Sequence, residues 1–166
     1  MTFYTERLLL RPATLADVAS FHRILSHPHA MTYWSTLPHD TVGETEAWVR
    51  AMIAIPPGEG EDFVVEHDGA VIGKAGLYRF PRIGFVFHPD HWGHGFASEA
   101  LRFVIDRAFR VHRLARIEAD VDPRNQASLA CLTKLGFTEY DRQERSWLIG
   151  GEWLDSVYLE LLAPAA

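Results

Sequence analysis

His88–Ala100, HPDHWGHGFASEA, joins two stretches of opposite character. Before it, RIGFVFHP (Arg82–Pro89) is rich in β-branched and aromatic residues and reads as a strand ended by proline. After it, Ser98–Arg110 switches to helical period, with Leu101, Val104, Ile105 and Ala108 on one face. Gly93 and Gly95 remove side chains from the turn, so successive N–H groups can point inward at an anion. The helix adds unpaired N–H groups and the positive end of its dipole. Such a junction suits phosphate, and Ser98 can either cap the helix or donate to a phosphate oxygen. The plain alternative is a strand-to-helix turn with no ligand.

His88, His91 and His94 raise a second possibility, a metal site. Metal sites combine histidine with cysteine or carboxylate from rigid elements. Here Pro89 and two glycines lie along the stretch from His88 to Gly95, and no HExxH-type helix follows, so no metal is expected. The loop is not a Walker loop, lacking Gly-Lys-Ser/Thr, and its glycine spacing is not the Rossmann fingerprint.

Outward from the loop, DFVVEHDGAVIGKAGLYRF holds two β-branched runs joined by Asp68-Gly69, a hairpin signal. ARIEADVDP alternates Ile117, Ala119 and Val121 with Glu118, Asp120 and Asp122, as a half-buried strand does. Gln126–Leu135 reads as a short helix ended by Gly136. FTEYDRQERSWLI and EWLDSVYLELL read as strands around Gly150-Gly151. Near the start, Arg7–Pro12 reads as a short strand. TLADVASFHRIL then carries Leu15, Val18, Ala19, Phe21 and Leu25 at helical spacing, with Thr14 or Asp17 near its start. Asp40 or Thr41 caps a second helix through about Ile53. The order predicts a mixed α/β fold in which one strand–helix–strand crossover is set in an antiparallel sheet.

The chain's 166 residues suit one domain spanning 1–166. No apolar run reaches the roughly 20 residues of a membrane span, and MTFYTERLLLRP is a poor signal peptide. One cysteine, Cys131, forbids an intrachain disulfide and suits a cytoplasmic protein. It lies on an apolar helical face with Leu129 and Leu132 and reads as core. A net charge of −6 argues against nucleic acid as the main partner and would not repel a cationic substrate.

NQASLACLTKLGF (Asn125–Phe137) fits Asn-x-x-Ser followed by Lys-Leu-Gly-Phe. With WGHGFASEAL, the opening TERLLLRP and the closing GEWLDSVYLELL, it makes the chain resemble the GNAT superfamily of acetyl-CoA-dependent N-acetyltransferases. The branch it is most similar to holds the ribosomal-protein alanine and serine acetyltransferases, and the resemblance runs from Thr5 to Leu162. It implies a mixed, mostly antiparallel sheet splayed between its fourth and fifth strands, with helices on both faces and acetyl-CoA in the splay. Laid on the family's pyrophosphate loop, Gly95 and Ala97 take the small-residue places and Trp92 stands where most members carry Gln or Arg. The main chain of Gly93, His94, Gly95, Phe96, Ala97 and Ser98 would then hold the pyrophosphate, and an N–H of Phe87 or His88 would polarise the thioester carbonyl.

Acetyl transfer needs a deprotonated amine, donors for the oxyanion and a proton for the leaving thiolate, but no covalent nucleophile. Asp120 matches, five residues before the motif Asn, a carboxylate that serves as base in some relatives; it also reads as part of a solvated strand face. His88 is another option for the base, having a suitable intrinsic pKa. The Glu that many relatives carry at the start of the preceding strand is Arg82 here, and the Tyr that some place after the motif Asn is Leu132. By resemblance Ser128 would return the proton, and Asn125 would bond the pantetheine arm while also reading as a helix N-cap. Tyr33 and Trp34 would wall the acceptor side or fill core. These readings make the chain a monomeric or homodimeric transferase taking acetyl-CoA and a primary amine, either a peptide N-terminus or a small amine. No nucleic acid, membrane or metal is expected to take part. The alternative is a non-catalytic acyl-CoA-binding or sensor module on the same fold, favoured by Arg82 and Leu132.

Overall fold

The computed structural model describes residues 1–165. It contains β1 (Phe3–Tyr4), β2 (Leu9–Arg11), α1 (Val18–Leu25), α2 (Val42–Ile53), β3 (Glu61–His67), β4 (Ala70–Arg79) and β5 (Arg82–Phe87). Then follow α3 (Phe96–Arg110), β6 (Arg116–Val121), α4 (Gln126–Lys134), β7 (Thr138–Ile149) and β8 (Glu152–Leu162). One sheet runs in the order β1-β2-β3-β4-β5-β6-β8-β7. All its neighbours are antiparallel except β5 and β6, which α3 connects by a crossover; α4 makes a second crossover from β6 to β7, with β8 between them.

That parallel pair is joined only at its base, where Arg82 sits opposite Glu118 and the Glu118 N–H donates to Pro81 O at 2.9 Å. Beyond this point the strands part, and the splay expected between the fourth and fifth strands opens here. The antiparallel ladders on either side are longer by contrast, with five partners between β4 and β5 and an unbroken six between β6 and β8.

The alternation of strand side chains sorts the core into two layers. Phe63 and Val65 of β3 face α3, whose Ala100, Leu101, Val104 and Ala108 are buried there with Leu132 of α4. Val64, between them, points the other way and packs with Val86 against Phe21, Ile24 and Leu25 of α1 and Val49 and Met52 of α2. Burial of each such side chain is worth about 1.5–3 kcal/mol.

The chain ends differ from expectation. The first strand covers only Leu9–Arg11, because Thr5 N–H bonds Leu8 O and turns the chain, leaving Phe3–Tyr4 to pair as a separate strand. Leu15 and Ala19 fall outside the core: Leu15 lies in a 3₁₀ turn and both are exposed, so α1 buries Phe21, Ile24 and Leu25. Thr41 is the side chain that caps α2, accepting from Glu44 N–H. The glycine turns behave as the sequence predicts, with Gly69, Gly136, Gly150 and Gly151 all at positive φ.

Candidate active site

Two cavities meet at the gap, one of 740 Å³ and one of 440 Å³. Among the described residues, Tyr33 and Trp34 alone line both.

The larger cavity is walled by the end of β5, the glycine turn and the starts of α3 and α4. Gly93 and Gly95 both hold φ of 78°, where a side chain is strained. Gly95 is the N-cap of α3, which starts at Phe96, two residues before the expected Ser98, and Gly95 caps nothing with a side chain. The first-turn N–H groups of Phe96, Ala97 and Ser98 therefore remain available to an anion. Asn125, in contrast, accepts from Ser128 N–H at 3.1 Å and caps α4 while lining the cavity. Trp92 Nε1 donates to Phe87 O at 3.0 Å, which ties the turn to the strand end.

A side-chain network that the sequence reading missed locks this turn. Glu99, in the first turn of α3, accepts from Thr5 Oγ1 (2.6 Å), Arg7 N (2.9 Å) and Arg7 Nε (2.8 Å). Arg7 Nη1 also donates to His94 O at 2.8 Å, and the guanidinium lies 4.6 Å from the Phe96 ring centroid. Burial pushes the Glu99 carboxyl up, but the donors from Thr5 and Arg7 outweigh it and leave the carboxyl below its ordinary value.

Three expectations are corrected here. His88 lines neither cavity: its ring sits against His27 at 5.1 Å, and its Nδ1 accepts from Asp90 N–H. Burial lowers its pKa despite Asp90, so it is also a poorer base than an ordinary histidine. The His88 N–H is spent on Ile72 O at 2.9 Å. Main-chain groups alternate sides along an antiparallel strand, so the N–H of Phe87, not that of His88, points toward the gap. The His94 side chain likewise lines neither cavity and lies against Phe96, its carbonyl engaged by Arg7. Cys131 is not core. It is half-buried on the wall of the larger cavity, its Sγ 3.5 Å from Ser98 Oγ, because α4 turns that face to the gap and buries Leu132 instead.

The smaller cavity draws its lining from distant parts of the chain. Asp120 is there, as is Trp34, and Trp147 Nε1 donates to Asp120 Oδ2 at 3.0 Å. The other Asp120 oxygen has no protein donor among the described residues. Lys74 of β4 and Asp62 of β3 form an ion pair in the wall, 2.9 Å apart and almost wholly buried, at 2% and 4% exposure. A lysine inside the apolar run Val71–Leu77 was the one sequence signal for it. Asp122 is held by Arg124 at 2.7 Å, and Asp155 accepts from Arg145 N–H. No cluster of three or more metal-ligating side chains occurs among the described residues, and no described helix is long and apolar enough to cross a membrane.

A family description, acetyltransferase (GNAT) domain, matches residues 7–138. An uncharacterized N-acetyltransferase, p20, of Bacillus licheniformis is 33% identical over 145 residues, covering 82% of each chain. Spermidine N(1)-acetyltransferase of Escherichia coli K12 is 25% identical over 89% of this chain and 82% of its own. The structure of Mycobacterium smegmatis RimJ in complex with CoA-disulfide superposes with a TM-score of 0.81 and 27% identity, over 94% of this chain and 82% of that one.

Proposed function

The chain belongs to the GNAT family of acetyltransferases and moves acetyl groups from acetyl-CoA to amines; from that premise we propose that its acceptor is a small amine carrying a second positive charge. The larger cavity takes the coenzyme and the smaller the amine, with Tyr33 and Trp34 at the junction. One observation carries the acceptor reading. Asp120 and Asp155 both line the smaller cavity, and neither has a cationic partner among the described residues. The other two carboxylates there, Asp62 and Asp122, are already neutralised by Lys74 and Arg124. Aromatic walls from Trp34, Trp48 and Trp147 favour cations further.

In this reading the ammonium gives one proton to the free oxygen of Asp120. The amine attacks the thioester carbon directly, and the Phe87 N–H steadies the oxyanion as negative charge gathers on the carbonyl. Pyrophosphate held by the turn and the α3 N-terminus fixes the thioester against that donor.

Steady-state rates on a linear diamine, the monoamine of the same chain length and a peptide beginning with Ala test it. A second charge met by Asp155 favours the diamine about tenfold in kcat/KM, equivalent to about 1.4 kcal/mol. Asp155→Asn brings the ratio near one, whereas Asp120→Asn lowers kcat about 100-fold on either amine. Equal rates on the two amines, or preference for the peptide, would remove the acceptor reading.

A further inference from the structure

Collapse of the tetrahedral intermediate breaks the C–S bond and leaves the electron pair on sulfur, so a proton must arrive at that atom. The donor has to reach the thiol end of the coenzyme and also the acceptor nitrogen, which gives up a second proton as the amide forms and keeps one. Leu132 occupies the place from which a tyrosine donates in some relatives; it has no proton to give and is fully buried. Tyr33 and Trp34 are the two described residues that line both cavities, and the Trp34 ring packs onto the core beneath α1 and α2. Tyr33, 40% exposed, is not among the side chains packed on that core, and its hydroxyl has no hydrogen-bond partner among the described residues.

We propose that Tyr33 is the catalytic acid, giving its phenolic proton to the departing thiolate and recovering one from the acylated nitrogen. The inference rests on acetyl transfer across the Tyr33–Trp34 junction. The protons balance: of the two that the ammonium loses, one leaves through Asp120 before attack and one refills the phenolate, whose own proton ends on sulfur. Phenols titrate near about 10 and thiols near about 8.5, close enough for the transfer, whereas an aliphatic alcohol such as that of Ser128 does not titrate in this range. The Arg124 guanidinium lies 5.5 Å from the Tyr33 ring centroid. Asp122 holds it there through paired hydrogen bonds of 3.1 and 2.7 Å, and Glu152 approaches it at 4.0 Å.

The test compares Tyr33→Phe and Ser128→Ala with acetyl-CoA and with the acetyl selenoester of the seleno analogue of CoA, on whichever amine wild type turns over. A selenolate leaves without needing a proton. Tyr33→Phe is expected to lose about 10–100-fold in kcat with acetyl-CoA, at the lower end of what a positioned acid supplies, and less than threefold with the selenoester. KM for acetyl-CoA stays within about twofold, since Phe preserves the ring's packing. Equal losses on both cofactors would mean that Tyr33 only shapes the junction, and the proposal falls. It falls too if Ser128→Ala, not Tyr33→Phe, shows the loss that the selenoester repairs. A wild type that acetylates some other amine but not the diamine removes the acceptor reading alone and leaves this comparison in force.

Discussion

The two sides of the Tyr33–Trp34 junction are made of different material. On the proposed coenzyme side the groups offered to the ligand are main-chain N–H donors of Phe87 and of the glycine turn into α3, helped by the capped start of α4. On the proposed acceptor side they are side chains from the α1–α2 link, α2, β3, β4, β5, β6 and the β7–β8 hairpin. Phosphate is constant chemistry that backbone N–H groups serve well, so glycines and a helix start suffice. An acceptor amine has to be distinguished by charge and shape, which only side chains supply. Each side should therefore fail in its own way when changed.

The largest effect is expected on the acceptor side. Lys74→Met leaves Asp62 buried without its partner, which costs about 3–5 kcal/mol of folding stability. The double change Lys74→Met, Asp62→Leu removes both charges and restores most of that loss, since a buried ion pair is seldom better than a packed apolar pair of similar volume. Urea unfolding at neutral pH measures both. A loss below about 1 kcal/mol for the single variant would show that Asp62 finds water or another donor.

On the coenzyme side the matching change is Gly95→Val, at φ 78°. A β-branched residue held in that conformation costs about 1–3 kcal/mol. Space is not the obstacle, since the nearest atom to an added Cβ is the end of Arg7 at 3.5 Å. The expected result is acetyl-CoA binding weaker by about 5–100-fold by calorimetry, with overall stability falling by no more than the strain. Unchanged affinity would mean that the turn does not hold the pyrophosphate.

The same contrast explains what could be read from the amino acids alone. The loop, its helix and the Asn125 motif are each contiguous, so spacing and residue type reveal them. His88 misled because which main-chain groups face the gap depends on the β4–β5 register, and that register is not written in either strand. Cys131 is ambiguous for a similar reason: residue type marks its helical face as apolar but does not show that a gap opens beside it. Asp62 and Lys74 meet because β3 and β4 pair Val64 with Lys74 and Asp62 with Gly76, a diagonal that no single-strand pattern contains. Asp120 was accessible only through the family motif beside it, and Trp147 and Asp155 carried no signal, being brought in by a hairpin that begins after that motif ends.

Glu99 is where the contrast is least sharp, because the main-chain site depends here on side chains 92 positions or more away in sequence. Its carboxyl is held below the ordinary 4.5 in the folded protein, as the donors from Thr5 and Arg7 overcome the opposing effect of burial. A depressed carboxyl adds stability that is fully present above 4.5 and is lost as pH falls through the folded value. Arg7 is 40% exposed, so water and salt keep the contribution to about 1 kcal/mol or less. Glu99→Gln cannot make the charged contacts at any pH. Urea midpoints of wild type and variant should therefore differ slightly at pH 7 and converge as the pH is taken down past 4.5. Curves that stay parallel through that range would mean that Glu99 keeps its network when protonated. The anion site would then be held by packing of Arg7 on Phe96, and the coenzyme side would be as free of side-chain charge as its glycines suggest.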